Sequence, residues 1–200
     1  MTTAPEVVPL SPLSFLERAA DVFPDKAAVT TASGWTQSYS EFRAEAGRVA
    51  ARLRKAGVGR GDAVAVLARN GPDALLMHYA VPGVTAALVA LNIRLAPQEY
   101  EQILRDSGAN LLFVESALSE RIRPIARTLS CQIIELPDAD TRAEAGSGLG
   151  IAYREWLDGV AQPDGRLDPP DNELDPIAIN YTSGTTGNPE ARSTPTGALT

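Results

Sequence analysis

Residues 182–187 read Thr182-Ser183-Gly184-Thr185-Thr186-Gly187, a run whose residue types suit one kind of chemistry. Glycine has no Cβ, so Gly184 and Gly187 can adopt backbone conformations closed to other residues. Successive N–H groups can then turn into one concavity. The hydroxyls of Thr182, Ser183, Thr185 and Thr186 add donors around the same space, with no large side chain in the way. A polyphosphate fits such a nest. The run is not a Walker A loop, whose G-x-x-x-x-G-K-[ST] pattern occurs nowhere in the chain. A flexible Ser/Thr/Gly linker has the same composition. The preceding run, Pro176-Ile177-Ala178-Ile179-Asn180-Tyr181, favours the phosphate reading, because a buried strand breaking into a glycine loop is how α/β folds present phosphate sites.

Other chemistry-bearing residues have plainer explanations. His78 is the chain's single histidine and lies in an apolar helical pattern, as a packed core residue would, with no visible partner for proton transfer. Asp171, Glu173 and Asp175 form a carboxylate cluster that reads as a solvated loop face. Cys131 is the single cysteine, so no internal disulfide or cysteine metal cluster can form. Its apolar surroundings, Cys131-Gln132-Ile133-Ile134, suggest a buried structural thiol. Trp35 and Trp156 read as packing residues, and no residue is assigned to a metal or to catalysis.

Composition narrows the classes further. The 200 residues are 44% hydrophobic and 22% charged, enough for a sizeable core and unlike a disordered chain. A net charge of −7 with no dense Lys/Arg run excludes a nucleic-acid partner. The richest basic stretch, Arg48 to Arg60, alternates with Ala, Val and Leu like the wet side of a helix. The N-terminus lacks the basic-then-apolar pattern of a secretory signal, and with the lone cysteine this indicates a reducing cytoplasm. Ala74 to Ile93 carries no Asp, Glu, Lys or Arg, and about twenty such residues could span a bilayer. Pro82-Gly83 interrupts the run, however, and a buried helix turning into a buried strand explains the same residues, so no transmembrane segment is expected.

The elements that would position the Ser/Thr/Gly loop follow from periodicity. Ser14–Val22 reads as a helix, followed by a small hairpin of 27–31 and 35–39. Ser40 is placed to cap a long helix with Phe42, Ala46, Val49 and Leu53 on one face. Strands at 63–68, 85–91, 111–114 and 131–136 then alternate with helices from Pro72 to Ala80, from Pro97 to before Gly108, and from Leu118 to Leu129. That alternation predicts an α/β fold, a mostly parallel sheet flanked by helices, with a small N-terminal β-hairpin. Residues 137–150 and 163–175 are expected to be loops, the former mobile, with a short helix at 153–157.

The stretch Tyr181-Thr182-Ser183-Gly184-Thr185-Thr186-Gly187-Asn188-Pro189 closely resembles the phosphate-loop motif of the adenylate-forming superfamily of acyl- and aryl-CoA synthetases, luciferases and peptide-synthetase adenylation domains. Three upstream landmarks agree: Gly57 to Val66, Leu91 to Glu99 and Asp106 to Val114. The resemblance spans 13–189, which is identified as a partial AMP-binding N-terminal domain, with 190–200 a divergent tail. It implies an acid–thiol ligase that uses ATP, Mg2+ and CoA. A carboxylate attacks the α-phosphate to give acyl-AMP and pyrophosphate, and CoA then displaces AMP. Thr182, Ser183, Gly184, Thr185, Thr186 and Gly187 would hold the β- and γ-phosphates in line. Short- and medium-chain fatty or related acids are the expected substrates, and aryl acids remain open.

The family continues after its proline with Lys-Gly and a helix. This chain reads Glu190-Ala191-Arg192-Ser193-Thr194-Pro195. A glutamate beside polyphosphate reverses the sign of a close interaction, and Pro195 suits a helix only in its first turn. A short out-of-frame stretch or a gene remnant would produce such a pattern. The residues that the family uses for ribose, Mg2+ and the acyl group, and its mobile C-terminal domain, would lie beyond Thr200. The 200 residues alone are therefore expected to be inactive, and Thr182 to Thr200 to be poorly ordered. The alternative reading is a catalytically inactive remnant or a nucleotide-binding α/β module.

Overall fold

A computed structural model describes residues 10–144, 146–160, 167–168, 170, 172–183 and 189–195; at 182–183, 189–192 and 195 it describes the backbone alone. Helix α1 (Pro12–Val22) starts from Ser11, whose hydroxyl accepts the Leu13 N–H, with Pro12 at the position where a missing donor costs nothing. Strands β1 (Ala27–Thr30) and β2 (Thr36–Ser38) pair antiparallel as the predicted hairpin. Helix α2 (Tyr39–Lys55) is capped by Ser38, two residues before the predicted Ser40. Ser38 and Glu41 form a reciprocal capping box, and the glutamate three residues after the cap was the deciding signal.

The main sheet has seven strands in the order β7-β6-β5-β3-β4-β8-β9, parallel throughout except for the β8–β9 pair. These are β3 (Ala63–Leu67), β4 (Ala87–Ala90), β5 (Leu111–Glu115), β6 (Gln132–Leu136), β7 (Ile151–Ala152), β8 (Pro176–Ser183) and β9 (Pro189–Pro195). Period-two alternation builds two cores. Val64, Val66, Leu111, Phe113, Ile134 and Leu136 face α1, α2 and α3 (Pro72–Ala80), and α6 (Tyr153–Leu157) packs there too. Ala65, Leu67, Leu112, Val114 and Ile133 face α4 (Pro97–Ser107) and α5 (Ser119–Ile122). Both faces are covered, as a parallel sheet requires. No helix of the described residues is long and apolar enough to cross a membrane, and 74–93 resolves into α3, a 3-10 turn at Pro82–Val84 and β4.

Several expectations need correction. The helix expected over 118–129 ends at Ile122, because Pro124 cannot donate to the carbonyl four residues back. The next amides, Ile125, Ala126 and Thr128, bond three residues back instead. The basic side chains of α2 are more than a wet face. Arg52 Nε donates to the Trp156 carbonyl at 2.6 Å and Arg54 to the Gly83 carbonyl at 2.7 Å, which ties α2 to α6 and to the turn before β4. His78 is exposed on α3 rather than packed in the core.

Within the stretch 182–200, expected to be poorly ordered, residues 182–183 and 189–195 lie in regular strands. Residues 189–195 form β9, an edge strand in register with β8 from Ser183↔Pro189 to Ala178↔Thr194, with a register shift before Pro176↔Pro195. Proline is tolerated at the end of an edge strand, where its missing N–H costs no ladder bond, so Pro195 fits here where a helix interior would reject it. Residues 184–188 and 196–200 lie outside the described residues.

Candidate functional site

The candidate loop grows out of β8. Leu88 of β4 pairs with Ala178, so the last residue of β4, Ala90, is level with Asn180. From Tyr181 onward β8 therefore runs past its parallel neighbour and is held on its other side by β9. Thr182 opposes Glu190 and Ser183 opposes Pro189 across the antiparallel pair. Of the six predicted phosphate ligands, Thr182 and Ser183 are placed by their backbone at the tip of β8, while Gly184, Thr185, Thr186 and Gly187 lie outside the described residues. The donor set of this segment, hydroxyls and glycine amides without a carboxylate before Glu190, fits an anionic ligand.

Two side chains brace the strand below the tip. Asn180 is exposed on one face, and its Nδ2 donates to Thr194 Oγ1 of β9 at 3.1 Å. Tyr181, on the opposite face, lays its ring on the second core, and its hydroxyl donates to Asp106 Oδ2 at 2.6 Å. Burial, with the carboxylate of Asp106 beside it, raises the Tyr181 phenol well above its ordinary value, so it remains a donor at any physiological pH. The expectation of a buried strand is only half met. Ile177, Ala178 and Ile179 are half-buried and Pro176 and Asn180 are exposed, because only β9 lies beyond β8 in the sheet.

A second polar cluster lies at the carboxyl ends of β3, β5 and β6, and the sequence reading missed it. The helix after β3 covers one face and the helix after β5 the other, so the chain reverses its winding between these strands. Open α/β sheets commonly bind ligands in the crevice at such a point. Here the crevice holds protein groups. Glu115, 1% exposed, accepts the Arg69 backbone N–H at 2.7 Å, the Arg69 guanidinium with Nε at 2.8 Å, and the Ala139 N–H at 3.0 Å. Arg69 also pairs with Asp138 at 2.8 Å and Asp140 at 3.0 Å.

Next to it, buried Asp73 is gripped by both terminal nitrogens of Arg142, whose guanidinium lies 5.0 Å from the Trp35 ring centre. Burial pushes the Asp73 carboxyl up, and Arg142 pulls against it. Glu135, 2% exposed, accepts the N–H groups of Ser147 at 3.1 Å, Leu149 at 2.5 Å and Gly150 at 2.7 Å. Burial alone would raise its carboxyl, but these N–H donors outweigh burial and hold it below the ordinary range.

The loop expected over 137–150 to be mobile is instead, at its described residues 137–144 and 146–150, a strap pinned by three buried carboxylates on α3, β5 and β6. It borders a cavity of about 450 Å³ lined by Trp35, Glu45, Arg48, Asp73, Arg142 and Tyr153, among others. The partners lie 24 to 71 residues apart for Arg69, Arg142 and Ala139, so no local spacing could have announced them. The cluster offers paired charges and no activated nucleophile, so its chemistry is structural. Among the other sequence candidates, Asp175 pairs with Arg60 and Glu173 accepts the Leu10 N–H at 2.6 Å, so both join the fold, while Asp171 lies outside the described residues. Trp156 is buried edge-on to Phe113 as a packing residue. Cys131 is half-buried and free.

Comparison with known proteins gives a consistent result. Residues 16–191 match the family described as AMP-binding enzyme. The chain is 33% identical over 196 residues to the probable acyl-activating enzyme 22 of Arabidopsis thaliana, covering 92% of this chain and 36% of that protein. It is 33% identical over 193 residues to the 2-methylpropanoate–CoA ligase CCL4 of Humulus lupulus, covering 91% and 34%. The fold superposes on the anthranilate CoA ligase AuaEII, solved with anthranoyl-AMP, with a TM-score of 0.79 and 25% identity over 98% of this chain and 35% of that one. The chain therefore spans about a third of the length of the relatives it matches.

Proposed function

Because the chain belongs to the AMP-binding enzyme family, we propose that it supplies the phosphate-holding part of an ATP-dependent acyl-CoA ligase. In the proposed reaction a carboxylate oxygen attacks the α-phosphorus of Mg-ATP. The bond to the bridging oxygen breaks, and pyrophosphate leaves. The CoA thiol then attacks the acyl carbon and expels AMP. The antiparallel pairing of β8 with β9, which brings Thr182 opposite Glu190 and Ser183 opposite Pro189 on either side of the motif, is the observation that supports this reading.

In that role the loop amides and hydroxyls bind the β- and γ-phosphates and stabilise the charge that moves onto pyrophosphate. Mg2+ would enter with the nucleotide. The AMP-binding unit is assigned to 13–189, with 190–200 diverging from it. A short carboxylic acid is supported by the likeness to the 2-methylpropanoate–CoA ligase. A cytoplasmic setting is supported by the free cysteine, and the absence of a nucleic-acid partner by the charge of −7.

The 200 residues alone are proposed to be inactive as a ligase, since they correspond to a third of the relatives' length. The reading of a weak nucleotide-binding module is favoured by the residue type at 190, a glutamate where the family motif has lysine, since a carboxylate near polyphosphate reverses the sign of a close interaction. Calorimetric titration of the chain with Mg-ATP, with and without Glu190→Lys, tests both readings. Binding is expected to tighten about tenfold in the variant, on the order of one charge-assisted contact. Equal affinity in the two proteins would remove residue 190 from the argument. Absence of binding in both would remove the proposed site.

A further inference from the structure

The loop-bearing end of β8 overhangs its sheet. With Leu88 opposite Ala178, β4 ends level with Asn180, so among the described residues Thr182 and Ser183 have a ladder partner on the β9 side alone. A strand end paired on one side frays easily, yet positioning a polyphosphate requires its donors to be held still. Among the described residues, the last turn of α4 braces this end against the body of the fold. Tyr181, directly before Thr182, donates its hydroxyl to Asp106 Oδ2 at 2.6 Å. Asp106 lies in the last turn of α4, and α4 is fixed to the second core by Tyr100, Ile103 and Leu104, each buried.

Asp106 is badly placed for helix stability alone, because a carboxylate in a final turn meets the negative end of the helix dipole. A phenol donor relieves that cost. The ring of Tyr181 packs on the same core that holds α4, so brace and helix form one unit. The bond also joins two stretches that carry the family resemblance, Asp106-Ser107-Gly108 and Tyr181-Thr182-Ser183, which lie 75 residues apart.

We propose that Asp106 and Tyr181 are a positioning pair for the phosphate loop, fixing the start of the loop against α4 so that nucleotide affinity depends on their hydrogen bond. The pair touches no substrate and acts through Thr182 and Ser183; its effect on ATP rests on the function proposed above.

The test uses the 200-residue chain with Tyr181→Phe, Asp106→Ala, their double variant and Asp106→Asn. Three quantities are measured: Mg-ATP affinity by calorimetry, amide hydrogen exchange at Thr182 and Ser183, and the urea midpoint. Tyr181→Phe and Asp106→Ala are each expected to weaken Mg-ATP binding about five- to tenfold, the range of the net contribution of one hydrogen bond. Each should also speed exchange at Thr182 and Ser183 while the urea midpoint stays near that of the parent. The double variant is expected to be no weaker than either single one, since both remove the same bond. Asp106→Asn, whose amide oxygen can accept the same hydroxyl, is expected to recover most of the loss.

Additive losses, or exchange unchanged in the single variants, would overturn the pairing. Faster exchange with unaltered affinity would overturn its link to nucleotide. If the parent chain binds no Mg-ATP, the proposed function fails by that result, and exchange alone decides whether the pair holds the strand end.

Discussion

Replacing Glu115 by alanine tests whether buried charge holds the strap over the carboxyl end of the sheet. Glu115 is 1% exposed and accepts two backbone N–H groups, from Arg69 at 2.7 Å and Ala139 at 3.0 Å, besides the Arg69 guanidinium. Each amide left without an acceptor costs about 1–3 kcal/mol. The Arg69 side chain is 36% exposed and keeps Asp138 and Asp140, so its own loss is small. The total is about 3 kcal/mol, at the lower end of the roughly 3–5 kcal/mol for breaking a buried pair. For a chain of this size that corresponds to a fall of about 6–12 °C in melting temperature.

Urea denaturation with an unchanged slope gives the stability directly, and amide exchange at Ala139 reports whether the strap opens locally. Glu115→Gln keeps one oxygen for an amide and is expected to lose about half as much. A loss below about 1 kcal/mol in Glu115→Ala, at the low edge of one unsatisfied amide, would refute the assignment.

Glu135 gives the strap an acid limit. Its carboxyl is held below the ordinary range in the folded chain, so its contribution is present above the unfolded pKa of about 4.3 and is lost as pH falls through the folded value. Glu135→Gln should therefore flatten the acid side of a stability-against-pH curve, and an unchanged curve would show that the three N–H bonds do not favour the ionised form. Gly150→Ala should destabilise by about 1–3 kcal/mol, because a Cβ there would run into the backbone carbonyl of Ile133. A variant as stable as the parent in urea would mean that this part of the strap can shift without cost.

What the sequence determined by itself is local and periodic. The unbroken apolar run from Ala63 to Ala68 made β3 legible as a buried strand, and Pro72 and Gly108 marked helix boundaries. Thr182 to Gly187 had a nameable chemistry before any fold was known, because glycine freedom and hydroxyl donors are properties of the residues. Local competition decided the misplaced cap at Ser38, where Glu41 selects the serine three residues before it.

The tertiary structure decided the rest through partners that meet only when the chain closes. Asp73, Glu115 and Glu135 carry no local sequence signal, and their role arises because burial removes their water and leaves Arg69, Arg142 and the strap amides to replace it. β9 was illegible because Glu190 to Pro195 has no apolar alternation, and its pairing with β8, rather than its own preference, makes it a strand. The bond from Tyr181 to Asp106 belongs to the same class. Each residue marks its own stretch of the sequence, and only the register of β8 against β4, with α4 packed alongside, places the two 2.6 Å apart.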